Sequence, residues 1–137
     1  MSGRPIRTYL DSGVLITAYK AEPGLREPAW RVLDDPGRRF ISSPFVRLEV
    51  SPKALFNKRA GEHRFYQTYF RRAQTTNDLR AIVGRAYREA AKSGVGPMDA
   101  LHLAAAHLLE ADEFITTEKP SKSIHRSSLV KVVYLYD

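Results

Sequence analysis

The chain contains no cysteine, which excludes disulfides and thiolate metal sites and agrees with a reducing compartment. No apolar run approaches the length needed to cross a bilayer. Residues Met1 to Arg7 lack the apolar core of a secretory signal. These absences lead us to expect a cytoplasmic protein with no membrane partner. There is no glycine-rich loop ending in Lys-Ser or Lys-Thr, which argues against a P-loop NTPase. The histidines are scattered, so His107 and His125 lack the converging partners that a zinc site needs. Repeats, low-complexity tracts and linkers are also missing, so a single domain is expected over residues 1–137.

What is present is charge of one sign. Twenty-two Lys and Arg against fifteen Asp and Glu leave a formal charge of +7, a surplus that favours polyanionic partners. Short β-prone runs alternate with helical stretches. Ile6 to Leu10 reads as a strand ending at Asp11-Ser12-Gly13, and Arg39 to Ser42 reads as a second. Glu113 to Thr116 and Leu129 to Tyr136 supply two more. Helices are predicted over Val14–Ala21, Leu25–Leu33, Pro44–Ala54 (with Pro52 ending or bending it), Glu62–Ala73, Asp78–Lys92 and Pro97–Ala111. In the last of these, Leu101, Ala104, Ala105 and Leu108 share one apolar face. Strands separated by helices predict an α/β fold with a mainly parallel sheet. In such sheets ligands bind at the C-terminal ends of the strands, near a switch in strand order.

Four acids are placed to reach that edge. Taken singly, each has an ordinary reading. Asp11 suits a helix N-cap, although Ser12 could take the cap and free it. Glu49 suits a solvated helix surface, Asp99 a first-turn acid facing free amides, and Glu118 a loop acid. Jointly they say more. Asp11 and Glu118 end strands, while Glu49 and Asp99 lie early in helices that return over the same edge. Carboxylates gathered in one place repel one another unless a cation compensates. Hard divalent cations take oxygen ligands and can polarise a phosphoryl oxygen and activate water. Thr116 and Thr117 could hydrogen-bond phosphate or water nearby.

Four segments, TYLDSGVLI (8–16), SPFVRLEV (43–50), GPMDALHLAAA (96–106) and FITTEKP (114–120), give the chain a resemblance to the PIN-domain family, which includes VapC-like toxin ribonucleases. The third segment is the most specific. The resemblance implies a three-layer α/β/α sandwich and a Mg²⁺- or Mn²⁺-dependent site that hydrolyses RNA. It assigns the acidic positions to Asp11, Glu49, Asp99 and Glu118, with Asp11 and Asp99 as principal ligands and Glu118 toward a second, weaker ion. Ser12 corresponds to an accessory hydroxyl, with Thr117 as a second candidate. Glu118 departs from the family pattern, which often has Asp there. The resemblance also admits an antitoxin protein as partner and a homodimer.

The remaining features have more ordinary readings. His102 reads as a packed or hydrogen-bonded histidine rather than a ligand. Phe65, Tyr66, Tyr69 and Phe70 form a stripe suited to core or dimer contact. Arg71 and Arg72 on one side, with Lys119 and Lys122 on the other, are candidates for a phosphate-contacting rim. An aspartyl-phosphate transferase would want an acid where Gly13 stands. The competing class is a non-catalytic RNA-binding or toxin–antitoxin interaction module with a degenerate site.

Overall fold

The computed structural model describes residues 3–137. Four strands, β1 (Ile6–Leu10), β2 (Arg38–Ile41), β3 (Glu113–Thr116) and β4 (Val132–Tyr134), form a sheet in the order β2-β1-β3-β4. All neighbours are parallel, with Ile6 opposite Arg38, Thr8 opposite Glu113 and Phe114 opposite Val132. The chain leaves β1 to one side to make β2, then crosses back to the other side to make β3. The strand order therefore reverses between β1 and β3, and their C-terminal ends open the crevice where ligands of parallel sheets bind.

Six helices complete the three-layer α/β/α sandwich: α1 (Ser12–Lys20), α2 (Glu27–Leu33), α3 (Pro44–Phe56), α4 (Ala60–Arg72), α5 (Leu79–Ser93) and α6 (Pro97–Leu108). Helix α1 packs on α2, α3 on α4 and α5 along α6, while α3 also touches α1 and α6. Among the described residues, no helix is long and apolar enough to cross a membrane. The core joins Tyr9, Leu10, Ile41, Phe114 and Ile115 of the sheet to Val14, Leu15, Val46, Tyr66, Ile82 and Leu103 of the helices.

Three differences from the sequence reading have physical causes. Helix α3 continues through Pro52 to Phe56. Proline there removes only the bond to the carbonyl four residues back, on Leu48, which is 67% exposed. The last strand is shorter than Leu129–Tyr136, because only Val132–Tyr134 pair with β3. Helix α6 buries Ala100 and every residue from His102 to Ala106, while Leu108 is exposed. It is enclosed nearly all round rather than along the Leu101–Leu108 face, since alanine side chains let neighbouring elements approach from several directions. The aromatic stripe of α4 is spent inside the chain. Tyr66 and Tyr69 are buried, and Phe65 and Phe70 pack against the core.

Candidate metal centre

Asp11 directly follows β1, and its backbone amide donates to the Ile115 carbonyl of β3 at 2.9 Å. The acid is thus held at the point where the strand order switches. It is the N-cap of α1: one carboxylate oxygen accepts from the Ser12 amide at 2.8 Å. The other accepts from the Thr116 hydroxyl at 2.8 Å. Thr116 is fully buried, and its oxygen also receives the Glu118 amide at 3.0 Å. One threonine therefore orients Asp11 and the start of the loop that carries Glu118. Ser12 does not take the cap; its hydroxyl donates to Glu49 Oε1. Thr117 lies against the first turn of α1. A Cβ at Gly13 would sit 2.3 Å from its hydroxyl oxygen, so glycine is what allows the β3 loop to approach the first turn of α1 this closely.

Glu49 reaches the crevice from the second turn of α3 and is partly exposed. Besides Ser12, its Oε1 meets His102 Nε2 at 2.6 Å. His102 comes from the buried side of α6, and its Nδ1 lies 2.8 Å from the Tyr9 hydroxyl, which lies 2.7 Å from the Ser43 hydroxyl. The hydrogen-bond network assigns the protons. Ionised Glu49 can only accept, so Nε2 carries the proton. On a neutral ring, Nδ1 then accepts from Tyr9, and Tyr9 accepts from Ser43. Burial, ahead of the other influences, pushes the Tyr9 phenol well above its ordinary value, which keeps it a donor. The bond from His102 acts first on Glu49. Together with the bond from Ser12, it outweighs burial and holds the carboxyl below its usual range.

Ligand atoms of Asp11, Glu49 and His102 all lie within 4.8 Å of one another. Both ring nitrogens of His102 are engaged, so the histidine positions Glu49, and the oxygen donors nearby belong to the acids. Asp99 stands outside this tight group, in the first turn of α6 after Gly96 and Pro97. Gly96 at the N-cap has no side chain to cap the helix, and Asp99 is the acid of its first turn. Burial, and then the negative charge of Asp11, push it above the ordinary aspartate value; His102 opposes this, while Glu118 and Glu49 add to it. Asp99 thus feels all three other acids and has no compensating cation among the described residues. Glu118 is exposed on the rim, with Lys119 and Lys122 following it.

Of the four predicted acids, Asp11 and Glu49 are brought together, Asp99 stands outside that group but within reach of their charge, and Glu118 is exposed in the loop after β3. The two arginines proposed for the rim are not brought to it together. Arg72 lies over the Phe40 ring at 5.1 Å and reaches the Leu33 carbonyl, whereas Arg71 lies beside Arg47, Gln67 and Phe70. Sequence reasoning missed Tyr9, Ser43 and Thr116 as supports. His102 is hydrogen-bonded as expected, but its partner is one of the acids. The available signal was a lone polar side chain within an apolar helical run.

A family model for the PIN domain matches residues 8–120. No curated protein sequence matches the chain. Among solved structures, the fold is similar to a toxin–antitoxin complex from Klebsiella pneumoniae, with TM-score 0.70 and 20% identity, covering 95% of this chain and 98% of that one. VapBC-1 from nontypeable Haemophilus influenzae gives TM-score 0.71 at 19% identity, covering 96% and 100%. FitAcB from Neisseria gonorrhoeae gives 0.69 at 17%, covering 94% and 98%.

Proposed function

This chain belongs to the PIN-domain family, and we propose that it is a Mg²⁺- or Mn²⁺-dependent ribonuclease, acting as a single domain over residues 1–137. The observation that carries this reading is the meeting of Asp11 and Glu49 at the strand-order switch, with Asp99 near enough for the charge of Asp11 to act on it. The donor set suits a hard divalent cation, because it is made of carboxylates. Burial first, and then the charge of Asp11, raise the Asp99 carboxyl, and a bound cation would relieve both. When bound, such an ion would polarise the phosphoryl oxygen and activate water for hydrolysis.

The roles of the side chains follow from their bonds. Asp11 and Asp99 would be the principal ligands. Thr116 and the Ser12 amide fix the Asp11 carboxylate, so little reorganisation is needed on binding. Glu49 has Oε1 held by two donors, which leaves Oε2 to face the ion or to take a proton from water. Glu118 would support a second, weaker ion. Lys119 and Lys122 would meet RNA phosphates beside it. The neighbours include a toxin–antitoxin complex and a VapBC2 bound to promoter DNA; this supports an antitoxin as partner and the toxin role for this chain.

RNA cleavage tests the reading directly. Structured and unstructured RNAs incubated with the protein should be cut with Mn²⁺ or Mg²⁺ and left intact with EDTA. Binding without any metal-dependent cut would favour a non-catalytic module. A finer test concerns the relay behind Glu49. Tyr9→Phe leaves His102 Nδ1 without its donor, and is expected to weaken Mn²⁺ binding by about tenfold, the low end for loss of a supporting hydrogen bond. Calorimetric titration measures this, and an unchanged affinity would remove Tyr9 from the site.

A further inference from the structure

Glu89 is a buried acid that the proposed site does not use. It lies near the end of α5 and is 4% exposed. An apolar side chain would fill the same space without taking a charge out of water. Two serine hydroxyls donate to one of its oxygens, Oε2: Ser93 of the same helix at 2.5 Å and Ser127 at 2.6 Å. Burial pushes the carboxyl up, but Ser127 and Ser93, helped by Lys92 and Arg85, outweigh it and hold the group below its usual range. Glu89 is therefore ionised at neutral pH, and a charged acceptor makes the stronger bond.

Ser127 belongs to the long connection between β3 and β4, which also carries Glu118, Lys119 and Lys122. Its neighbour Arg126 donates to the Ser93 and Gly94 carbonyls at 3.1 and 3.4 Å, groups that the end of a helix leaves free. Gly94 has φ +72°, and a Cβ there would stand 3.1 Å from the Arg126 guanidinium. Glycine thus serves both the left-handed turn and the approach of the arginine. Two adjacent residues of the connection therefore grip one helix end. Just before them, His125 Nε2 donates to the Glu118 carbonyl at 2.8 Å, which carries the hold back to the acid.

The gripped end leads to Asp99. Helix α5 passes into α6 through Gly94–Gly96, and Asp99 stands in the first turn of α6. Because α6 is enclosed nearly all round, Asp99 has a fixed place, whereas Glu118 is exposed in a connection and needs an outside hold. The charge of Glu118 reaches Asp99. We propose that Glu89 is a positioning residue for the metal centre: by holding Ser127 it ties the β3–β4 connection to the end of α5 and sets Glu118 relative to Asp99. This role rests on the reading of those two acids as metal ligands. Glu89 itself touches neither ion nor RNA.

The test is a calorimetric Mn²⁺ titration of the full-length protein, comparing Ser127→Ala with Ser93→Ala. Each variant deletes one hydroxyl from the same Glu89 oxygen, but only Ser127 belongs to the connection that carries Glu118. Ser127→Ala should weaken Mn²⁺ binding about threefold, less than the roughly tenfold or more that follows loss of a bond to a ligand itself. Ser93→Ala should change it far less, and Glu89→Gln, a weaker acceptor of the same size, should follow Ser127→Ala. In a Glu118→Gln background, Ser127→Ala should add nothing, because its effect passes through Glu118. Backbone amide relaxation in EDTA should show residues 117–127 gaining motion in Ser127→Ala. Equal losses of affinity in the two serine variants, or a loss that adds to that of Glu118→Gln, would reduce Glu89 to a support of the fold and overturn the role. A connection as rigid in Ser127→Ala as in the wild type would overturn it too. The two readings fail differently. A wild type that binds no Mn²⁺ would remove the metal reading and this role with it, whereas Mn²⁺ binding indifferent to Ser127→Ala would remove the role alone.

Discussion

Asp99→Asn is expected to abolish metal-dependent RNA cleavage while making the metal-free protein more stable at neutral pH. The first effect follows from the ligand role proposed for Asp99. Removing a preorganised electrostatic group of this kind costs on the order of 10²–10³-fold in rate. The second follows from the state of Asp99 without metal. Burial, then Asp11, and further Glu118 and Glu49, raise its carboxyl above the ordinary aspartate value. An acid whose folded value is raised contributes stability that is complete below its unfolded value, about 3.9. That contribution is lost as pH rises through the folded value. In the metal-free wild type, burial and the neighbouring acids oppose ionisation of Asp99 as pH rises, and the amide removes that penalty. Melting curves check the sign. The variant should melt above the wild type at pH 7 without metal, and the gap should close in acid below about pH 3.9. Mn²⁺ should raise the wild-type melting temperature by mass action and move the variant far less. A variant that keeps its cleavage rate, or that melts below the wild type at neutral pH, would displace Asp99 from the site.

The order of elements and the placement of the acids were legible because they depend on local rules. A β-prone run followed by Asp-Ser-Gly places Asp11 at a strand end. Ser43-Pro44 and Gly96-Pro97 mark helix starts, which put Glu49 and Asp99 within two turns of the same sheet edge. The relay behind Glu49 was not legible, since Tyr9, Ser43 and His102 are distant in sequence and meet only when α6 and α3 pack over β1. Periodicity also misled the reading of α6. Counting apolar residues along Leu101, Ala104, Ala105 and Leu108 predicted one buried face, whereas the helix is enclosed almost all round. Side-chain reach defeated the reading of Arg72 as a rim residue. Its position in α4 says only that it starts at the surface, and the structure turns its guanidinium onto Phe40. Thr116 and Thr117 show the same limit at one-residue scale: both were candidates, and it is Thr116 whose hydroxyl meets Asp11.

Phe114→Ala is expected to give the largest loss of stability, and to show how far the site depends on the core beneath it. Phe114 is fully buried in β3 and stacks on Tyr9 of β1, with ring centroids 5.1 Å apart and planes at 11°. Removing the ring loses its transfer free energy and leaves a cavity between two central strands that pair with each other and cannot easily collapse. Substitutions of this kind cost about 3–5 kcal/mol, a large part of the roughly 5–15 kcal/mol that a domain has. For a chain of this length that corresponds to a fall in melting temperature of about 10–20 °C. Urea unfolding should show a lower midpoint with the same slope, because the surface exposed on unfolding hardly changes. Phe114→Leu separates support of the site from collapse of the fold. It keeps most of the apolar volume, should cost about 1–2 kcal/mol, and remains folded for titration. Without the flat ring against it, Tyr9 loses the surface that holds its hydroxyl toward His102. Phe114→Leu should therefore weaken Mn²⁺ binding in the same direction as Tyr9→Phe, by a smaller factor. Combining the two substitutions should add little beyond Tyr9→Phe, since both act on one hydrogen bond. Fully additive losses would mean that Phe114 supports the acids by some route other than Tyr9.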